Sequence, residues 1–408
     1  MTKPDTLHPY GGEICMEIVS ERQSRIRYLQ CSGCARTYPV NAINTFASCE
    51  ACGKSPLISI YDLPQGPPEL TIDTSERSMW RYFELLPVLH RENIVTLGEG
   101  WTPMLRLDRT ANTLGVKSLL LKDESFNPTG SFKARGLSMA ISKALELGIR
   151  DCIVPTAGNA GGAMAAYCAR AGMRATVVMP KHTPAAFKTE CRYFGATVIE
   201  VEGLISDCAR VVGEMNTDGR YFDLSTMKEP YRLEGKKTMG YEIVEQLGWR
   251  FPDVILYPTG GGTGLIGMWK AFNEMIQMGW VSGRLPRLVA VQTDNCKPVL
   301  ETFLYGEAVT RAKPTLANGL AVPAPFAQKL IQRSLRDTFG TVVTVSEEAI
   351  VDGVKNLASA EGLFVAPEGG ALLPALQKLL DDSSVRRDEE ILLLNTGSGY
   401  KYLENLPE

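Results

Sequence analysis

From residue 118 onward, short apolar segments alternate with amphipathic ones, and most of the turns between them carry glycine or small polar residues. The short apolar runs read as strands at 118–122, 153–155, 175–179, 197–201, 254–257, 287–292, 341–345 and 391–394. Helical periodicity is read at 131–147, 160–171, 185–194, from 206 onward, 235–247 and 265–277. Gly148, Gly172 and Gly195 follow three of these helices, as left-handed caps require. Ser346 caps a further helix with Glu347 and Glu348 in its first turn. Apolar strands separated by helices predict parallel sheet with both faces covered, hence an α/β fold.

The chain has 408 residues, enough for two or three domains with cores of their own. Lys and Arg total 43 against 46 Asp and Glu, a net charge of -3, so bulk electrostatic binding to nucleic acid or an anionic membrane is not expected. No apolar run approaches the ~18 residues of a membrane span. Met1-Thr2-Lys3-Pro4-Asp5 opens without the apolar stretch of a signal peptide, which predicts a cytoplasmic protein with reduced cysteines.

Four of the ten cysteines are patterned, Cys31-x-x-Cys34 and, 14 residues on, Cys49-x-x-Cys52. Two such knuckles can aim four thiolates at one point, the donor set of a structural zinc ribbon. A ribbon without metal and a redox pair are the alternatives. Residues 1–62 hold six basic and six acidic residues, so this segment has no excess charge for phosphates. Cys15, Cys152, Cys168, Cys191, Cys208 and Cys296 are scattered and read as small apolar residues. Only His8, His90 and His182 could activate one, and none forms a Cys-His pattern. The proline-rich stretch 63–75 reads as a linker, and 79–86 as a short helix stopped by Pro87.

Four strand-end motifs carry chemistry. In Asn127-Pro128-Thr129-Gly130-Ser131-Phe132-Lys133 a strand gives way to a turn, and Ser131 begins a helix with Lys133 in its first turn. The helix dipole opposes positive charge there, which suits a lysine used as a neutral nucleophile, although a solvated surface lysine has the same look. Gly260-Gly261-Gly262-Thr263-Gly264 follows a strand and opens a helix, an arrangement that cradles phosphate or simply makes a tight turn. It has neither the P-loop lysine nor a dinucleotide fingerprint. Asn159, after Thr156-Ala157-Gly158, can cap its helix or offer a donor and an acceptor to a ligand. Thr396 and Ser398 stand among glycines after the last strand, in a turn or at a binding edge. A lysine, an anion cradle, an amide and a hydroxyl at strand ends together fit pyridoxal 5'-phosphate.

At this point the chain resembles the threonine synthase family, within the fold-type II (tryptophan synthase β-like) pyridoxal-phosphate enzymes. The likeness spans essentially the whole sequence. It includes the cysteine ribbon, Met79-Trp80-Arg81-Tyr82, 97–103, 127–136 and Pro230-Tyr231-Arg232-Leu233-Glu234-Gly235-Lys236-Lys237-Thr238. It implies two α/β domains of mainly parallel sheet: a large one from 76–134 and 236–408, and a small mobile one at 135–235, behind the 1–62 ribbon and the 63–75 linker. It implies Lys133 as the Schiff-base lysine with Phe132 beside the ring and Asn159 on the 3'-oxygen. Gly260, Gly261, Gly262, Thr263 and Gly264 would hold the phosphate. Thr396, with Ser398 as second candidate, would face the pyridine nitrogen. Thr156, Ala157 and Gly158 would receive the substrate carboxylate, and Arg232 the substrate phosphate or else an interdomain salt bridge. It further implies a homodimer acting on a small amino acid.

The pattern also departs from the family. Ala134 stands where synthases commonly have Asp, Gly261 where they often have Asn, and Ala160 where a hydroxyl residue often follows the active-site Asn. The Ser-Phe-Lys-Ala-Arg-Gly string is closer to serine/threonine dehydratases. The expected activity is synthesis of threonine from O-phosphohomoserine. The rivals are a dehydratase, a β-replacement enzyme on another amino acid, and a non-catalytic ribbon-bearing binding protein.

Overall fold

The computed structural model describes residues 22–41, 49–53 and 55–407. Cys15 and His8 lie outside them. Three sheets organise the chain. The first is a small antiparallel one of β1 (Ile26–Cys31), β2 (Thr37–Tyr38) and β3 (Leu57–Tyr61), in the order β2-β1-β3.

The largest sheet contains β4 (Met104–Arg106), β5 (Ser118–Asp123), β10 (Val254–Pro258), β11 (Arg287–Thr293), β12 (Thr341–Val345) and β13 (Glu390–Asn395). Its order is β12-β11-β10-β13-β5-β4, parallel except for the edge strand β4, which runs antiparallel to β5. Its strands alternate faces as a pleat demands. Leu120, Ile255 and Leu392 enter one core with Met268 and Phe272, while Leu121, Leu256 and Leu393 enter the opposite core with Val354 and Leu376. The sheet is therefore buried on both sides, as its uninterrupted apolar strands predict.

The third sheet holds β6 (Asp151–Pro155), β7 (Arg174–Pro180), β8 (Thr197–Val201) and β9 (Phe222–Asp223), all parallel in the order β8-β7-β6-β9. One face packs Cys152, Val154 and Val177 against the helices Lys133–Glu146 and Asn159–Arg170. The other packs Ile153 and Val178 on Cys208 and Val212. The short 3-10 segment Met79–Leu85 straddles the two larger units. Its Met79, Trp80 and Phe83 enter this core, and its Tyr82 and Leu85 the core of the six-stranded sheet.

Helix Tyr231–Gln246 joins the two units. Glycines let it approach its neighbours at backbone distance. A Cβ on Gly235 would overlap the carbonyl of Arg135, and one on Gly240 would come within 2.7 Å of the Ala271 Cβ. The Lys133–Glu146 helix is thereby set directly against the helix that carries Arg232.

Candidate active site

Lys133 owes its position to a backbone clamp. Thr129 and Gly130 take positive φ, and Ser131 runs extended and bridges to Gly397. The N–H of Phe132 donates to Thr396 O at 3.0 Å, and that of Ser398 to Gly130 O at 3.0 Å. Ser131 is thus held in a ladder, and the helix starts at Lys133, two residues later than the sequence predicts. The lysine nitrogen lies over the Phe132 ring, 4.5 Å from its centroid. Burial, and after it the positive charge of Arg232, bring Lys133 down to about 7, with Glu368 pulling the other way. A substantial fraction of this amine is neutral near neutral pH, the form that attacks a carbonyl.

Behind Lys133 a buried ionic knot fixes the helix. Arg135 reaches Glu124 at 2.6 and 2.7 Å and Glu242 at 2.6 and 2.7 Å, and Lys122 meets Glu242 at 3.0 Å. All four side chains are fully enclosed.

The structure brings the other strand-end motifs to this place. Asn395 and Asp123 pair across β13 and β5, and the Asn395 amide donates to Asp123 at 2.8 Å. A Cβ on Gly397 would lie 3.6 Å from both the Asn159 Nδ2 and Gly130 O, so the Lys133, Asn159 and Thr396 loops meet. Asn159 Oδ1 is buried with no hydrogen-bond partner among the described residues. Such an atom is costly unless something outside the chain satisfies it. Thr396 is buried, whereas the Ser398 hydroxyl accepts the Tyr400 N–H at 3.3 Å and caps the following turn.

Most of the glycines after β10 answer to packing. A Cβ on Gly260 would overlap Gly319 O, one on Gly262 would overlap Ile331, and one on Gly264 would overlap the Tyr257 hydroxyl. Gly261 is the partly exposed member, and its Cβ would stand 2.9 Å from Thr226 Cγ2, so a side chain there would require Thr226 to shift. The loop opens the helix Thr263–Gln277 with no side-chain cap, and the Gly264 N–H is directed at the Tyr257 hydroxyl, so the helix start can still turn part of its first-turn N–H groups to an anion.

Thr156 and Gly158 spend part of their hydrogen-bonding capacity on themselves. The Gly158 N–H donates to Thr156 Oγ1 at 3.2 Å, and the Thr156 N–H to Val178 O at 3.0 Å. Ala157 lies between them, partly exposed.

Arg232 is buried, its Nη1 donating to Leu224 O at 2.5 Å and its Nε having no partner among the described residues. Glu229 is 4.0 Å away, and its other oxygen caps the Tyr231 and Arg232 N–H groups at 2.7 and 2.9 Å. Burial pushes Glu229 up to about 7 against the pull of Arg232. The neighbouring lysines divide: Lys236 feels the charges of both Lys133 and Arg232, whereas Lys237 is turned to other partners. Lys236 donates to Phe132 O at 2.8 Å, and Lys237 is consumed by Leu85 O at 2.7 Å, Glu234 at 2.9 Å and Glu274 at 3.0 Å. Lys236 and Glu368 are site neighbours that sequence reasoning missed. Glu368 sits in an Ala-Pro-Glu-Gly-Gly turn whose glycines were the available signal.

Away from this cleft, the sulfurs of Cys31, Cys34, Cys49 and Cys52 all lie within 4.8 Å of one another. The N–H groups of Gly33 and Cys34 point at Cys31 Sγ, 3.3 and 3.4 Å away, as in a metal knuckle. The Tyr38 hydroxyl is 3.2 Å from Cys49 Sγ, and this hydrogen bond brings that thiol down to about 6. Cys152, Cys168, Cys191, Cys208 and Cys296 are buried and unbridged, as expected of small apolar residues.

The family of pyridoxal-phosphate dependent enzymes matches residues 95–397. Threonine synthase of Methanocaldococcus jannaschii is 33% identical over 377 residues, covering 91% of this chain and 92% of that protein. Threonine synthase of Methanosarcina acetivorans is 33% identical over 91% of both chains. Among solved structures, a pyridoxal 5'-phosphate-dependent aspartate racemase superposes with a TM-score of 0.64 at 22% identity, covering 75% of this chain and 92% of that one. The processed form of threonine deaminase isoform 2 from Solanum lycopersicum gives 0.62 at 20% identity, covering 73% and 79%. These superpositions establish the fold-type II architecture. The clamp that presents Lys133, the orphaned amide oxygen of Asn159 and kinship along nine-tenths of the sequence agree: this chain belongs to the threonine synthase family of pyridoxal-phosphate dependent enzymes.

Proposed function

We propose that the chain makes threonine and phosphate from O-phosphohomoserine and water. The observation that carries this is the buried guanidinium of Arg232, whose charge reaches the Lys133 amine and whose Nε, 4.0 Å from Glu229, has no hydrogen-bond partner among the described residues. An amino-acid substrate with a second anionic group would satisfy both.

The residues present suit pyridoxal phosphate. Among the described residues Asn159 Oδ1 lacks a donor, the Thr263–Gln277 helix starts at the glycine loop without a side-chain cap, and Thr396 is buried nearby while Ser398 Oγ accepts the Tyr400 N–H. When bound, the cofactor supplies an electron sink that makes the substrate α-proton acidic. Lys133 would form the covalent link, then take and return protons at Nζ. Phe132 would lie beside the ring, Asn159 would orient the 3'-oxygen, and Gly260 to Gly264 would hold the phosphate. Thr396, a neutral hydroxyl, would face the ring nitrogen. Ala157, flanked by Thr156 and Gly158, would offer its N–H to the substrate carboxylate.

The same reading treats 135–235 as the domain that moves against 76–134 and 236–408. Lys401, 2.8 Å from Glu190 and 2.6 Å from Thr129 O, is one polar link across that boundary. It also assigns a structural zinc to the four cysteines, since tetrahedral Zn–S bonds of about 2.3 Å place sulfurs about 3.8 Å apart. The observed pairs Cys31–Cys52 and Cys34–Cys49 are at 3.5 Å. Among the described residues no helix is long and apolar enough to cross a membrane. A cytoplasmic homodimer completes the reading, and sedimentation of the purified chain tests the dimer.

Dehydration of serine or threonine is the second reading. Ala134, Ala160 and the crowding of Gly261 by Thr226 favour it, because they remove groups that would grip a substrate phosphate. Assaying phosphate, ammonia and 2-oxo acid release over hydroxy- and phospho-amino acids separates the two. Ammonia from serine with no phosphate from O-phosphohomoserine would reject the first.

A further inference from the structure

Glu368 lies in the short helix Pro367–Gly370, just after the bridge between Val365 and Ser398. It is 5% exposed. Its Oε1 accepts the Gly319 N–H at 2.6 Å and the Tyr402 hydroxyl at 3.0 Å. Its Oε2 is buried with no partner among the described residues. An unpaired carboxyl oxygen in a protein interior is expensive and calls for an explanation.

Every neighbour of this carboxyl belongs to the site. Gly319, its N–H donor, is the residue whose carbonyl crowds Gly260 in the glycine loop. Ala366 donates to Gly397 O at 2.9 Å, which ties the Glu368 turn to the Thr396 loop. Tyr402 stacks edge-on against Phe187 at 5.4 Å, and Phe187 lies 3.8 Å from where a Cβ on Gly158 would sit. The charge of Lys133 acts on Glu368, and Glu368 acts on Lys133 in return.

The proposed reaction includes one proton transfer outside those between carbons, from the water to the departing phosphate. Lys133 is occupied with protons that move between carbons. The departing phosphate leaves with the electron pair of its Cγ–O bond and needs one proton. The water gives its hydroxyl to the β-carbon and releases one. We infer that Glu368 carries this proton: Oε2–H passes to the ester oxygen as the Cγ–O bond breaks, and the resulting carboxylate takes a proton from the water as its oxygen bonds to the β-carbon. The carboxyl returns to its starting state each turnover. The assignment rests on the proposed phospho-substrate. Burial raises Glu368, opposed by the Gly319 N–H, the Tyr402 hydroxyl and Lys133, so the protonated form is accessible.

Glu368→Gln tests this in the holoenzyme. Wild type must first release phosphate and threonine from O-phosphohomoserine; if it does not, the substrate reading falls and takes this assignment with it. Given release, Glu368→Gln should lower kcat for phosphate by about 100-fold, within the range of a lost general acid–base. Deuterium exchange at Cα of bound threonine, which is Lys133 chemistry, should persist. In cofactor-free protein, the infrared band of protonated carboxyls should be weaker in the variant than in wild type, Glu229 contributing to both. Tyr402→Phe removes a hydrogen bond that favours the carboxylate, so the alkaline limb of kcat should move to higher pH. Unchanged phosphate release in Glu368→Gln, or equal loss of exchange and release, would overturn the role.

Discussion

Lys133, Asn159, Thr396 and Arg232 each answer to a local need that can be read from one or two neighbours. Burial and the Arg232 charge bring Lys133 to about 7, so cofactor capture by cofactor-free protein should rise with pH and level off just above 7. A lysine at its ordinary value would keep gaining rate towards pH ~10. Stopped-flow mixing with pyridoxal phosphate reads the midpoint, and borohydride should then fix the cofactor to Lys133. Turnover of Lys133→Ala at the wild-type rate would remove Lys133 from the mechanism. Arg232 spends one nitrogen on Leu224 O and keeps Nε, so Arg232→Ala should cost kcat/KM for a phospho-substrate about 2–4 kcal/mol, mostly through KM. Little change would mean that the substrate brings no phosphate to it. These residues were legible because each sits in a motif with its own turn chemistry. The parting of Lys236 from Lys237 was not, since adjacent helical residues point about 100° apart and reach different neighbours. Glu368 was also hidden: only the fold sets Gly319 and Tyr402 around it.

Strands were the most legible elements, because burial on both faces writes them as apolar runs flanked by turns. The predicted strands 197–201 and 341–345 coincide with β8 and β12, and the others fall short by one or two residues at one or both ends. The edge strand β4 escaped notice, being three residues long with no buried side chain to give a pattern. The helices Pro298–Tyr305, Gln328–Asp337 and Leu372–Asp381 went unread as well. Where the Lys133 helix begins was misjudged by two residues, because pairing of Ser131 with Gly397 is decided by chain 266 positions away. That helix is held from behind by Arg135, Lys122, Glu124 and Glu242. Burial would raise Glu242, but Arg135 and Lys122 outweigh it and hold the carboxyl down at about 2. Its contribution to stability is therefore complete above its unfolded value near 4.5 and is lost as pH falls towards 2. Glu242→Gln should destabilise by about 3–5 kcal/mol at pH 7, since it strands two buried cations. Its urea midpoint should also vary less than that of wild type between pH 5 and pH 3. A variant as stable as wild type would show that Glu124 alone neutralises the knot.

Across the whole molecule, the ribbon is a third body fastened to the two larger ones at identifiable points. Arg25 pairs with Glu84 at 2.7 Å, and Tyr61 on β3 donates to Glu234 at 2.9 Å. Lys237 lies 4.0 Å from the centroid of the Tyr61 ring. Glu234 and Lys237 belong to the helix that carries Arg232, so the ribbon braces that helix from the side away from the cleft. Among the described residues its own apolar core is Leu29, Cys31, Tyr38, Cys49 and Leu57, with Ile26 at the margin, a small set to hold three short strands by burial alone. A metal on the four sulfurs would supply what this core lacks. Purified, reduced protein should then contain one zinc per chain. Cys31→Ser with Cys34→Ser should abolish it and lower Tm by several degrees, by about 4 °C per kcal/mol or somewhat less for a chain this long. None of the four cysteines touches the Lys133 cleft, so kcat should stay within about twofold of wild type below the new Tm. KM is the parameter that can move, through the Tyr61–Glu234 contact to the Arg232 helix. Metal analysis by plasma emission, thermal scans and steady-state rates on the same preparation decide the matter. Protein free of zinc with an unchanged Tm would mean that the sulfurs cluster without holding metal, and a kcat that collapses with the zinc would place the ribbon inside the catalytic unit.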